Sequence, residues 1–213
     1  MSTALVWFRR DLRLAGNPAL AQACEQHDEV VPVFIWAPDE EAPWQPGAAS
    51  RWWLHHSLAA LSKSLAKTGS PLVVRSGDTL KELRKLARET GAEAVYWNRL
   101  YEPALIKRDA GIKKALREDG LEAESFYAAL WFEPWEMKTG AGDPYRVFTP
   151  FWKSMQQKLA PLRIAPAPKR IAAPDGKLAS LALEDLGLLP EIHWDSGFHE
   201  RWTPGEAGAH PRL

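Results

Sequence analysis

The sequence predicts a doubly wound α/β fold: a Rossmann-like, five-stranded parallel sheet with helices on both faces, followed by a proline-rich interdomain linker. Two observations carry that prediction. Short apolar, β-branched or aromatic runs alternate with helix-forming segments at crossover length and without internal repeats, the pattern of strands joined by right-handed crossovers. After about Ala160 the composition changes to APLRIAPAPKRIAAPDG, which reads as an extended linker.

Each element has a local reason. Ala4 to Phe8 is an apolar run of strand length. Asn17-Pro18 opens a helix that runs to about Gln26, with proline tolerated in the first turn, where its missing N–H costs nothing. Glu29 to Trp36 (EVVPVFIW) is the second strand. Pro32 removes a ladder donor and is placed near the start of that strand. A polar loop over Asp39 to Gly47 leads into a long helix, Ala48 to Thr68, with Trp52, His55, Leu58, Leu61 and Leu65 near helical spacing and Gly69 as its stop. Pro71 to Arg75 is the third strand. Asp78 or Thr79 caps a helix over Leu80 to Thr90, ended by Gly91. Ala94 to Trp97 is the fourth strand, Pro103 starts a charged helix ending near Gly120, and Ala123 to Leu130 is the fifth strand. A last helix spans Phe148 to Leu159.

Composition narrows the function classes. Lys plus Arg and Asp plus Glu both total 27, so there is no net charge to draw the chain onto nucleic acid, although a local basic patch stays open. Cys24 is the single cysteine and is read as a buried residue of the first helix, which excludes a disulfide framework. No apolar run reaches membrane-spanning length, and the default is a cytoplasmic protein without a membrane partner. The 11 tryptophans are assigned mostly to the core. His55 and His56 are adjacent and have no acids or thiols at ligand spacing, so no metal site is expected.

In a doubly wound sheet, ligands sit outside the carboxyl ends of the strands, at the switch in strand order. The tips here are Phe8-Arg9-Arg10, Trp36-Ala37-Pro38, Ser76-Gly77-Asp78 and Asn98-Arg99-Leu100-Tyr101-Glu102. No G-x-G-x-x-G follows the first strand and no P-loop lysine is present, which disfavours nicotinamide and phosphoryl-transfer enzymes. The first tip packs three arginines and Asp11 into five positions, and Asp11 is expected to pair with a neighbouring arginine and pin the corner. Arg51 opens the second helix behind the small residues of Gly47-Ala48-Ala49-Ser50, where orphan N–H groups and a cation favour an anion. Asn98 and Glu102 are read as a strand cap and a first-turn carboxylate. Phe148, Phe151 and Trp152 are read as an aromatic staple closing the sheet.

Six motifs then fall in order: WFRRDLRLAGNPAL, GAASRWWLHHSLAALSKSL, GSPLVVRSGD, AVYWNRLYEPALIKRD, DPYRVFTPFWK and WTPGEAGAH. Together they resemble the photolyase/cryptochrome family, and more narrowly the amino-terminal antenna domain of class I cyclobutane pyrimidine dimer photolyases. The resemblance implies a division into an antenna-binding α/β domain over 1–159 and an interdomain linker over 160–213. A helical FAD-binding domain would lie beyond these residues. It implies a monomeric flavoprotein, a deoxyribodipyrimidine photo-lyase, that repairs UV-damaged DNA by blue-light-driven electron transfer from FAD. This domain would harvest light for it; by itself it would hold no catalytic residue and repair nothing. Two alternatives remain beside this: a cryptochrome photoreceptor domain, and a stand-alone α/β module binding a nucleotide or other small molecule. For the antenna chromophore, Ala104 and Leu105 stand where folate-type relatives carry an Asn-Glu pair, so a deazaflavin or flavin type is favoured over methenyltetrahydrofolate. Leu100 stands where deazaflavin-type relatives often carry an acidic residue. The residues expected to hold the chromophore are Phe8, Arg9, Phe34, Ile35, Trp36, Arg51 and Tyr101.

Overall fold

The computed structural model describes residues 1–160 and 164–212. Five parallel strands form one sheet in the order β3-β2-β1-β4-β5: β1 (Thr3–Phe8), β2 (Glu29–Trp36), β3 (Val73–Ser76), β4 (Ala94–Asn98) and β5 (Glu122–Phe126). The chain winds outward from β1 to β3, then crosses back to β4, so strand order reverses between β1 and β4. Alternate side chains of each strand enter opposite cores. Ala4, Val6 and Phe8 pack with α1 (Pro18–Gln26) and α2 (Ala48–Thr68). Leu5 and Trp7 pack with α3 (Thr79–Thr90) and α4 (Pro103–Glu118) on the other face. The doubly wound fold is therefore present, with an apolar layer on each side of the sheet.

The helix boundaries follow from local chemistry. The Asn17 side chain accepts the Leu20 N–H at 3.1 Å with Pro18 at the first position of α1. Asp78 accepts the Lys81 N–H at 2.8 Å to start α3. Gly69 and Gly91 end α2 and α3 at φ +109° and +65°. Pro32 is tolerated for a specific reason. Val30, of the same parity, sends its N–H to Ala172 O on the side away from β1, whereas the β2–β3 pairing begins only at Val33. The missing donor of Pro32 thus falls just before the stretch where β3 needs one.

Four expectations need correction. β5 ends at Phe126 rather than Leu130, because its only neighbour, β4, ends at Asn98, the register partner of Phe126. α5 (Phe148–Lys158) does not staple the sheet: Phe148 is 70% exposed, and Met155 is the one buried residue of the helix. Of the tryptophans, only Trp7, Trp52 and Trp97 are buried, and the rest are half-buried or exposed. Cys24 is half-buried against the core rather than enclosed, and burial raises its thiol pKa.

The proline-rich stretch lies along the domain. Its described part holds no helix or strand until a 3-10 turn at Leu183–Leu186. Ile171, Leu186 and Leu188 are nevertheless buried in the α1–α2 core. Ile171 N–H donates to Thr68 O at 2.8 Å, and Leu181 N–H donates to Val74 O at 3.0 Å beside edge strand β3. Beyond it, two single-turn helices, α6 (Phe198–Arg201) and α7 (Glu206–Ala209), lie against α2 and the corner after β1.

Candidate functional site

The polar corner after β1 is built from within. Arg9 is buried, and its guanidinium is committed to Asp109 of α4 and to the carbonyl of Asn98. Burial lowers the Arg9 pKa, opposed by Asp109. Arg108 also meets Asp109, at 2.8 Å, and both guanidiniums approach the Trp7 ring, at 4.6 and 5.1 Å from its centroid. Among the described residues Asp11 makes no salt bridge with an arginine side chain. It accepts the Arg9 backbone N–H at 3.1 Å and the side-chain amides of Asn17 and Asn98. The side-chain amides of Asn17 and Asn98 occupy its Oδ2, and Arg13 turns instead to Gly16 O and Ala128 O. This network occupies the β1–β4 switch point itself. Asn98 is the strand cap, and its Oδ1 also accepts the Ala19 N–H at 3.1 Å. Glu102, at the start of α4, pairs with Arg10, which also meets Glu41 at 2.9 Å. Burial works to raise the Glu102 carboxyl; backbone N–H groups and Arg10 outweigh it and leave it below the usual carboxylate range.

A cleft of about 1880 Å³ runs along the carboxyl ends of the strands. Its floor is Arg9, just after β1, and Phe34, Ile35 and Trp36 from β2. One wall is the start of α2, from Gly47 to Leu54; another is the chain from Tyr127 to Phe132 after β5. Phe198, Trp202 and Glu206 of the carboxyl-terminal segment complete it. The lining is mostly apolar and rich in indole and phenyl rings, the surface a flat aromatic ligand needs.

Four of the seven expected site residues, Arg9, Phe34, Ile35 and Trp36, therefore meet in the cleft. Phe8 lies beneath it, fully buried in the core. Arg51 stands behind Trp36: its Nε donates to Pro46 O at 2.9 Å and its guanidinium lies 5.9 Å from the Trp36 ring centroid. No carboxylate pairs with Arg51 among the described residues' salt bridges, so its charge is not neutralised by direct contact. Tyr101 turns away toward Glu133, and burial, with that carboxylate, raises its hydroxyl to about 12. The residues that sequence reasoning missed are Trp44, the Tyr127–Phe132 stretch and the segment around Phe198, Trp202 and Glu206. The aromatic density of YAALWF and the WTPGE motif were the available signals. Among the described residues no group of acids, histidines or cysteines is placed to hold a metal, and no helix is long and apolar enough to cross a membrane.

Fold and cleft together define a doubly wound α/β domain with an aromatic cleft at the carboxyl edge of its sheet, and comparison with known proteins identifies its family. The DNA photolyase family model matches residues 4–172, and the chain belongs to that family. The deoxyribodipyrimidine photo-lyase of Agrobacterium fabrum is 46% identical over 210 residues, covering 98% of this chain and 43% of that protein. Cryptochrome-2 of Arabidopsis thaliana is 39% identical over 215 residues, covering 98% of this chain and 35% of its own length. The crystal structure of a bacterial class III photolyase from Agrobacterium tumefaciens superimposes with a TM-score of 0.93 at 44% identity, covering 100% of this chain and 44% of that one. The chain thus spans less than half the length of these relatives.

Proposed function

We propose that this chain is the amino-terminal light-harvesting domain of a deoxyribodipyrimidine photo-lyase. In the longer protein, a helical domain would carry FAD, bind UV-damaged DNA and split pyrimidine dimers under blue light. The domain proper would be residues 1–159 together with the stretch through Leu188 that packs on it, with the remainder leading onward. The observation that carries the reading is the cleft: aromatic and apolar, placed at the carboxyl edge of a photolyase-family sheet, and roomy enough for a tricyclic ring.

Within it, Phe34, Ile35 and Trp36 would stack on the chromophore, and Arg51 would hold Trp36 from behind while offering charge to an anionic oxygen. When bound, the chromophore supplies absorption of light and transfer of its excitation; the chain supplies position and a dry apolar wall. A flavin or deazaflavin fits better than a folate. Leu105, where folate-type relatives carry a polar residue, is 2% exposed and points into the protein.

The test is titration of riboflavin, 8-hydroxy-5-deazaflavin and methenyltetrahydrofolate against the 213-residue chain. Flavin-type ligands are expected to bind, and the folate to bind more weakly. Folate as the tightest ligand, or no binding at all, overturns the assignment. The cryptochrome reading shares fold and cleft and is favoured by the similarity to the Arabidopsis protein. Light-dependent restoration of dimer-containing DNA by the longer protein separates the two.

A further inference from the structure

A flap of chain closes one end of the cleft. Phe198, Trp202, Gly205 and Glu206 all belong to its wall. Beside the edge-on contact of Trp202 with Trp53 at 6.0 Å, two attachments stand out among the described residues of this flap. The first is an aromatic clasp on α2: the Trp52 indole N–H donates to Asp195 Oδ2 at 2.7 Å, the Phe198 ring lies edge-on to Trp52 at 5.0 Å, and His199 meets His56 at 4.6 Å. The second is a carboxylate latch. Glu206 Oε2 accepts the Leu14 N–H and its Oε1 accepts the Ala15 N–H, both at 2.9 Å. Between them Gly205, at φ +101°, passes so close to α2 that a Cβ there would stand 2.6 Å from Ala60 Cβ.

These contacts enclose Trp52 of α2 but bury little of the flap itself. α6 and α7 bury no residue, and Trp194 and Trp202 are 40% and 48% exposed. Segments attached by few buried apolar contacts open at low free energy while the sheet beneath stays folded. We propose that residues 194–210 form a strap that opens and closes over the cleft, gating ligand passage, and that His56, enclosed in the clasp, makes its opening proton-driven.

The groups around the clasp set the direction. α2 presents His55 and His56, α6 presents His199 between Phe198 and Glu200-Arg201, and the preceding turn presents Asp195. Burial, His55 and His199 hold His56 below its ordinary pKa, against a weaker opposing pull from Asp195, which already accepts from Trp52. His55 Nδ1 and His56 Nε2 are buried and find no hydrogen-bond partner among the described residues. A second ring proton on His56 would therefore lack a ready acceptor. A histidine whose pKa is depressed when docked takes up its proton more readily when released. The clasp is fully held above the ordinary histidine value of about 6.5 and weakens as pH falls below it, levelling off beneath the depressed value.

The strap itself is tested without ligand; only its role in passage rests on the proposed chromophore site. In the ¹⁵N-labelled 213-residue chain, three resonances report on it: the Trp52 indole N–H and the amides of Leu14 and Ala15. Between about pH 7.5 and 5.5 the three are expected to change together, with protection of the two amides falling up to about tenfold per pH unit for one titrating histidine. The Val95 amide in the sheet is expected to stay protected. A His56→Phe/His199→Phe double variant keeps the ring contacts and is expected to show no such pH dependence. Ala60→Leu wedges the strap open, so Leu14 and Ala15 lose protection already at high pH and riboflavin associates severalfold faster. Reporters that do not move in the wild type, a double variant with an unchanged transition, or a folded Ala60→Leu chain with full protection would each overturn the proposal. If the amides behave as expected while riboflavin binds no variant, the strap stands and the flavin-type assignment falls.

Discussion

Arg9 was expected to face a ligand, and the structure places it at the cleft floor, yet its charge is spent inward on Asp109 and Asn98 O. Removing one partner of a buried ion pair strands the other. Arg9→Met is therefore expected to cost about 3–5 kcal/mol, toward the lower end because Arg108 stays beside Asp109. A lower urea midpoint with an unchanged slope is the measurement. Arg51 makes the opposite prediction, because among the described residues it has no carboxylate partner to strand. Arg51→Ala should leave the midpoint nearly unchanged and weaken binding of an anionic chromophore. A charge-assisted hydrogen bond contributes about 1.5–3 kcal/mol, and at about 1.4 kcal/mol per decade the loss is roughly ten- to a hundredfold. Equal affinity of the two chains would reduce Arg51 to a prop for Trp36. Residue type alone could not tell these two arginines apart. Both lie at the carboxyl edge of the sheet, and the difference lies in Asp109, a hundred positions away from Arg9 in sequence.

At the scale of elements, the five helices from α1 to α5 were legible nearly to the residue, because their ends are written in local chemistry, whereas the single-turn α6 and α7 were not foreseen. Asn17-Pro18, Asp78, Gly69 and Gly91 each act on their own few neighbours. Strand ends were less legible: β5 stops where β4 stops, and no residue near Phe126 announces it. The two glycine stops also differ in a way that can be measured. At Gly91 an added Cβ meets open space at φ +65°, so Gly91→Ala is expected to cost about 1–2 kcal/mol for the left-handed conformation alone. At Gly69 the φ of +109° lies beyond the left-handed well, and the Cβ would stand 2.9 Å from the backbone oxygen of Ile171. Gly69→Ala should therefore cost more, about 2–3 kcal/mol, with the larger drop in melting temperature. Equal drops would mean that the chain at Ile171 yields without cost.

For the whole molecule, the fold was legible because alternation and crossover length are properties of the chain's rhythm. The cleft was legible only on its floor. Phe34 to Trp36 are consecutive and sit at a strand tip, whereas Trp202 and Glu206 reach the cleft only after the chain has doubled back along the domain. Residues 160–213 read as linker in the sequence, and several of their side chains are core: Ile171 is 2% exposed and Leu188 3%. Ile171→Ala is expected to cost about 2–5 kcal/mol, as for any enclosed aliphatic side chain. A chain ending at residue 159 should melt at a lower temperature and less cooperatively than one ending at 190. Coincident melts would place the folding unit within 1–159.

That same passage bears on how the protein behaves in a crowded solution. β3 is the outer strand of the sheet on its side, and an open edge of this kind is a template for another copy. Here the Val74 N–H is taken by Ser180 Oγ at 2.9 Å and the Val74 carbonyl by Leu181 N–H at 3.0 Å. The strand's central donor and acceptor are thus already satisfied by a stretch too irregular to extend the sheet further. Two short polar contacts of one passing segment act as an end-stop, so that lengthwise growth of the sheet into an aggregate is discouraged at the place where it would otherwise begin.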